Sequence, residues 1–329
     1  MPETCHQYVE MMRKGELTSV ETFPFYDYPN NIRYLFIEKM DIATKLWYYL
    51  CSDETSIDMP RTYIKSLQIY TDSTKIKTKD DHLGNLSLSF SAECGACQIR
   101  LLTPNGETIF FELGDLAETI SAYFNRLIRK STKMHTLMLD HKFFPFEKTN
   151  IKHLINLNYL VVNLQKHGMM DCGFTSFEQL YKIRNHLNIH YIELDLSQLI
   201  QFTAQYLTFG SVKISADTIN QYMKLFVNGQ YEGRTRELLL YIDANNRLQL
   251  DRLVEGLDTL KAHEDYGWQY FALVSTESPC RIGIVKYTSK FFKIEFLSEK
   301  EFRADTELFK KYGEAVEYYL WKRMSVNEE

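Results

Sequence analysis

Six cysteines scattered through 329 residues are too few for a disulfide scaffold, and no segment approaches the run of about 18 apolar residues that spans a bilayer. The opening MPETCHQYVEMMRKGE has no apolar stretch behind a basic end, so it does not read as a secretory leader. These absences set the expectation of a cytoplasmic or nuclear protein in a reducing compartment. Also missing are a Gly-x-Gly-x-x-Gly turn after a strand, a Gly-x-x-x-x-Gly-Lys loop and a His-Glu-x-x-His helix, which removes the main sequence support for nucleotide or zinc chemistry. A Gly-x-Ser-x-Gly elbow is absent too, since Gly210-Ser211 lacks the second glycine. Lysine plus arginine totals 38 against 43 for aspartate plus glutamate, a net charge of −5. That balance supplies no broad drive toward nucleic acid or anionic membrane.

What is present describes a folded chain. Aromatic residues reach 14%, with 22 tyrosines and 21 phenylalanines, which suits packed cores with amphipathic contact surface and argues against disorder. At roughly 100–200 residues per domain, the length holds one large or two modest domains. Beyond residues 1–20, a helical region over 21–60 places Ile32, Leu35, Phe36, Met40, Ala43, Leu46, Trp47 and Leu50 in near-helical rhythm. Strand-like stretches follow at Ile64 to Tyr70, Leu86 to Phe90, Cys97 to Leu102 and Thr108 to Leu113, the last two joined by Pro104-Asn105-Gly106 as a hairpin. Asp115 caps an expected helix from Leu116 to Arg129, with Ile120, Phe124, Leu127 and Ile128 on one face.

From there short apolar strands alternate with helices: Thr136 to Leu139, Tyr159 to Leu164, Tyr191 to Leu196, Tyr206 to Phe209 and Leu238 to Ile242. Leu137, Leu160, Ile192, Leu207 and Leu239 step by 23, 32, 15 and 32 residues, scattered around the period of leucine-rich repeats, roughly 20–29 residues. The expected fold class is therefore α/β, an irregular leucine-rich-repeat-like stack of strands and helices over 61–329, with an open doubly wound α/β sheet as the alternative. Within it, Ser215 caps a helix whose Ile219, Tyr222, Met223 and Phe226 form one stripe, and Gly229 and Gly233 lead out toward the strand Leu238 to Ile242. A helix from Leu248 to Leu260, a hairpin from Arg281 to Leu297 and a last helix from Glu299 complete the reading.

Chemistry-bearing residues are present without converging. Cys94-Gly95-Ala96-Cys97 spaces two sulfurs for a metal or a redox disulfide, but His82 and Cys172 make no second ligand pair, and the motif runs into a strand where redox chemistry needs a helix. His135, His141, His153, His167, His186 and His190 concentrate in mid-chain, and His186 and His190 are expected to part where a helix gives way to a strand. Asp140, Asp195 and Asp243 lie at strand ends, where α/β enzymes place catalytic groups and where repeat stacks merely place polar ends. Arg126, Arg129, Lys130 and Lys133 fit a helix C-terminus, and Lys290-Phe291-Phe292-Lys293 fits cross-strand packing better than single-strand nucleic-acid binding. No cofactor and no metal is expected, and no catalytic residue is assigned.

Asp217-Thr218-Ile219-Asn220, Tyr222-Met223-Lys224, Phe226, Gly229 and Arg236-Glu237-Leu238 resemble the signature of the F-box-associated domain of nematode F-box proteins, over about 214–297. Arg236-Glu237-Leu238 stands where that family has a leucine-first order. Phe23-Pro24, Pro29, the helix Ile32 to Lys39, Met40-Asp41 and Cys51-Ser52 resemble a divergent F-box, with Tyr28 replacing the leucine of its Leu-Pro pair. The same stripe also fits an ordinary helical hairpin. The resemblance implies a non-catalytic substrate-recruiting subunit of a Skp–cullin–F-box ubiquitin ligase. Pro29, Ile32, Leu35, Phe36, Met40, Leu46 and Trp47 would then bind a Skp-type adaptor, and through it a cullin ligase, while an unknown protein target binds the α/β domain. Asp217, Asn220, Gly229 and Leu238 would be structural. A free-standing protein-binding repeat module and an α/β enzyme are the alternatives.

Overall fold

The computed structural model describes residues 63–70, 85–93, 96–103, 106–128, 133–140, 145–149, 151, 157–163, 180–231, 234–276 and 279–326. The region 21–60, expected to be helical and to hold the adaptor-contact residues, lies outside them. The chain divides into two compact units, Met1–Lys166 and His167–Glu329, and mixes helices with parallel and antiparallel strands in an α/β architecture.

In the first unit the strands are β1 (Tyr63–Tyr70), β2 (Asn85–Glu93), β3 (Ala96–Thr103), β4 (Gly106–Leu113), β5 (Lys133–Asp140) and β6 (Tyr159–Asn163). Their order is β6-β5-β1-β2-β3-β4. β6, β5, β1 and β2 run parallel, and β3 and β4 form the expected hairpin, with Thr103 opposite Gly106. Helix α1 (Leu116–Leu127) starts at Asp115, whose carboxylate accepts the Ala117 and Glu118 amides. This satisfies two of the donors that a helix start leaves open. Ile120, Tyr123 and Phe124 are buried, and Tyr123 meets the Phe90 ring edge-on while donating to Glu112 at 2.6 Å.

The second unit contains β7 (His186–His190), α2 (Leu196–Leu199), β8 (Tyr206–Val212), α3 (Ala216–Val227), β9 (Glu237–Ile242) and α4 (Leu250–Leu253). It continues with β10 (Leu260–Asp265), β11 (Trp268–Val274), β12 (Arg281–Thr288), β13 (Phe291–Ser298), α5 (Glu299–Ala304) and α6 (Thr306–Val326). Strand order is β10-β11-β12-β13-β9-β8-β7. β7, β8 and β9 are parallel neighbours in chain order, whereas β13, β12, β11 and β10 extend the sheet antiparallel from β9.

Three expectations are corrected here. The strand placed at Tyr191 to Leu196 is instead β7, because Tyr191 turns to φ 63° and Asp195 caps α2, leaving only the isolated Glu193–Lys213 bridge beyond it. Register then aligns Leu187 with Leu207 and Leu207 with Leu238, steps of 20 and 31 residues. The helix placed at Leu248 to Leu260 shrinks to α4, and Gly256 at φ 68° turns the chain before Leu260 enters β10. The last helix breaks at Asp305, whose carboxylate accepts the Glu307 and Leu308 amides and restarts the helix as α6.

Alternation along the strands builds two faces. On one, Leu187, Ile189, Leu207, Phe209, Leu238, Leu240, Phe292, Ile294 and Phe296 are buried, as is the α3 stripe Ile219, Tyr222, Met223 and Phe226. Phe226 and Phe296 meet with ring centroids 4.7 Å apart. Each such side chain contributes about 1.5–3 kcal/mol on burial, so α3 is bound by its stripe far more than by its cap. On the other face Ala272, Val274 and Ile282 lie under Phe302, Tyr312 and Val316 of α5 and α6.

Gly210 in β8 has a packing reason rather than a turn reason. A Cβ there would stand 2.1 Å from His190 Nδ1 on β7, so the glycine is what lets the imidazole lie across its neighbour. Gly210→Ala is expected to lower unfolding stability by about 1–3 kcal/mol, with His190→Ala in the same chain recovering most of the loss. Urea denaturation of the two single variants and the double variant measures this coupling.

Candidate functional site

The signature residues between Asp217 and Leu238 lie on α3, its exit and the start of β9. Ser215 Oγ accepts the Thr218 amide at 3.0 Å and caps α3. Asp217, in the first turn, is exposed and pairs with Arg252 of α4 at 3.2 Å; both side chains are more than half exposed there, so the pair adds little. Asn220 is the structural pivot. Its buried Nδ2 donates to the carbonyls of Leu253 at 2.9 Å and Glu255 at 3.0 Å. This amide takes carbonyls that would otherwise accept within a longer helix, which accounts for the early end of α4. Gly229 leaves α3 at φ 66°, a left-handed exit that glycine adopts without strain. Leu238 is fully buried in β9.

Loops around this unit are tied as tightly. Lys290 Nζ donates to the carbonyls of Asp243, Ala244 and Asn246 at 3.1, 2.6 and 2.9 Å, fixing the exit of β9 against the β12–β13 turn. Asn246 Nδ2 reaches the Ile214 carbonyl at 2.8 Å. Tyr231 donates to Thr235, whose hydroxyl donates to the Ala204 carbonyl, and Arg281 Nη2 donates to the Thr235 carbonyl.

The carboxylates and thiol singled out for chemistry have architectural partners. Asp195 caps α2 in a capping box with Gln198. Hydrogen bonds from the Ser197 hydroxyl and then the Gln198 amide hold its pKa below the ordinary carboxylate value. Asp243 is buried and accepts the Asn245 amide at 2.8 Å. Cys97 is buried with Sγ directed at the Gly114 carbonyl, and burial pushes its thiol pKa up, away from a reactive thiolate. Its motif partner Cys94 and the Asp140 side chain lie outside the described residues. His186 and His190 do not part as a helix end would separate them: both lie on β7, on the same face, with Asn188 between them. Among the described residues no group of three or more His, Cys, Asp or Glu side chains is arranged to hold a metal ion, and no helix is long and apolar enough to cross a membrane.

A second constellation, unmarked by any motif, lies on the face of the second-unit sheet opposite α3. Trp268 of β11, Phe291 of β13 and Tyr241 of β9 form a row, with Trp268–Phe291 centroids 5.1 Å apart and Phe291–Tyr241 centroids 5.5 Å apart. Lys286 stands over the Trp268 ring at 4.1 Å. The next row holds Lys293, bonded to Glu237 at 2.7 Å and to Glu295 at 3.6 Å. Burial pushes its ammonium pKa down, but the Glu237 and Glu295 carboxylates outweigh burial and hold it above the ordinary lysine value. Tyr241 and Tyr206 remain 48% and 37% exposed. Three aromatic rings thus line up beside the ion pairs of Lys293 with Glu237 and Glu295. The Lys290–Lys293 segment divides as a strand must, with Phe291 and Lys293 on this face and Phe292 buried on the other.

No protein-family model, curated protein or solved structure matches this chain.

Asn220→Ala is expected to cost about 1–3 kcal/mol, because two carbonyls lose their donor inside the fold. Asn220→Asp is expected to cost more at neutral pH, since a carboxylate would face those same oxygens. Thermal or urea unfolding of both variants measures the order.

Proposed function

We propose that this chain is a non-catalytic substrate-recruiting subunit of a Skp–cullin–F-box type ubiquitin ligase. Residues 21–60 dock a Skp-type adaptor and, through it, a cullin ligase, while the α/β part holds a protein target. Asn220 is the observation that carries the reading. The signature residue with the least obvious reason to be polar is the one that ties α3 to the loop after α4 through two carbonyls. Gly229 and Leu238 add a left-handed helix exit and a core strand position to the same unit. This behaviour supports a shared architecture with the F-box-associated domain.

Within that reading the parallel strands β7, β8 and β9 belong to an irregular leucine-rich-repeat-like stack. Support comes from Leu187, Leu207 and Leu238 standing in register. The exits of β7 and β8 also match: Tyr191 and Ser211 both have positive φ, and Asp195 and Ser215 both cap the next helix. The aromatic row of Trp268, Phe291 and Tyr241 favours a second reading, a free-standing protein-binding module, because such a row serves a partner with or without a ligase. The structural employment of Asp195, Asp243 and Cys97 weighs against an enzyme.

Capture by an immobilised Skp-type adaptor separates the two readings. The wild-type chain is expected to bind, and the folded double variant Leu35→Asp, Phe36→Asp to bind at least about tenfold more weakly, as when charges enter an apolar helix-face interface. Undiminished capture of that variant, with native circular dichroism, would remove the adaptor-docking role.

A further inference from the structure

Strand β4 ends the strand order of the first unit and pairs with β3 alone, through consecutive positions from Gly106 to Leu113. Among the described residues nothing pairs with its outer backbone edge, about 26 Å long at roughly 3.3 Å per residue. Unpaired strand edges invite another strand, and proteins blunt them with lysine, proline or a bulge. Gly106–Leu113 has no lysine, arginine or proline, and its pairing with β3 has no register shift. The contrast is β10, which ends the strand order of the second unit: Glu264 and Asp265 are exposed there, and the register shifts between Leu260 and His263.

The side chains add an apolar stripe to that open edge. Ile109, Phe111 and Leu113 alternate along β4 and therefore share one face. α1 holds the other, where Tyr123 donates to Glu112 and meets Phe90. Ile109 and Leu113 are 45% and 46% exposed, and Phe111 between them packs, partly buried, against Ala96. Opposite residues of an antiparallel pair lie on the same face, so a second β4 extends the stripe only where residues of like parity meet. A two-fold axis at Phe111 sets Ile109 opposite Leu113 twice and Phe111 opposite its own copy. An axis at Glu112 sets two carboxylates against each other, and an axis at Phe110 leaves Leu113 without an apolar counterpart. The stripe is complementary to itself in one register.

We propose that β4 pairs antiparallel with β4 of a second copy of this chain in that register, making an isologous dimer. Ile109, Phe111 and Leu113 of the two copies then cover one another, while main-chain hydrogen bonds continue the ladder that β3 and β4 begin. Among the described residues each copy has one such edge, and the pairing consumes it, so assembly stops at two. The inference does not depend on what the chain recruits.

Sedimentation velocity of the full chain alone, at micromolar concentration, tests the dimer. The wild type is expected to sediment as two copies, and Ile109→Lys with Leu113→Lys to weaken dimerisation at least about tenfold. Circular dichroism and the unfolding midpoint should stay level, since both side chains are exposed. Cysteine cross-linking reads the register, because directly opposite Cα atoms lie about 4.5–5.5 Å apart, within disulfide reach. After mild oxidation an equimolar mixture of Ile109→Cys and Leu113→Cys chains is expected to give a covalent dimer on a non-reducing gel. Its yield should exceed that of either variant alone and of the wild type, which carries the native cysteines. The cysteine pair decides the matter even where the lysine variant misfolds. A monomeric or open-ended wild type, an unweakened dimer in the folded lysine variant, or no excess cross-linking in the mixture would overturn the proposal.

Discussion

Strand β9 is the constraint on which the second unit depends. It pairs parallel with β8 on one side and antiparallel with β13 on the other, so two ladders of opposite sense share one backbone. Its alternation assigns the faces for both: Leu238 and Leu240 go under α3, while Leu239 and Tyr241 go to the opposite side. A slip of one residue would exchange these sets and put the buried row in solvent. The register is held from outside the strand as well, by Lys290 on the carbonyls beyond its end and by the Ile242 amide on the Lys290 carbonyl.

The target-holding half of the proposed function is downstream of that strand. α3 packs over it with a four-residue apolar stripe, and Asn220 extends the attachment to the loop after α4. On the reverse face Tyr241 meets Phe291 because β9 and β13 hold those two positions opposite each other. The core therefore positions the contact surface directly, without an intervening flexible loop. Rigid presentation of aromatic anchors lowers the ordering cost of binding a partner.

The elements legible in the sequence are those whose signals are local. The α3 helix is announced by Ser215 and a stripe at three- and four-residue steps, and the β3–β4 hairpin by Pro104-Asn105-Gly106 between two strand-like runs. Local signals failed where the deciding interaction is distant. The spacing of Leu250, Leu253, Val254 and Leu257 is helical, but an amide from Asn220, over thirty residues earlier, takes the carbonyls a longer helix would use. His186 to His190 and Tyr191 to Leu196 both alternate, and the turn that separates them rests on a positive φ at a tyrosine, which nothing in its residue type announces. β10 carries too few apolar residues to stand out alone. The signature residues fall within one short stretch of sequence, whereas Tyr241, Trp268 and Phe291 become neighbours only through strand pairing.

The central claim is that a rigid α/β unit carries a target while another part of the same chain joins a ligase. Sedimentation velocity of the full chain mixed with a purified Skp-type adaptor at micromolar concentration tests it most directly. The account predicts a single faster boundary containing both proteins in equal amounts. Two independent boundaries, with the full chain folded and monodisperse, would contradict it.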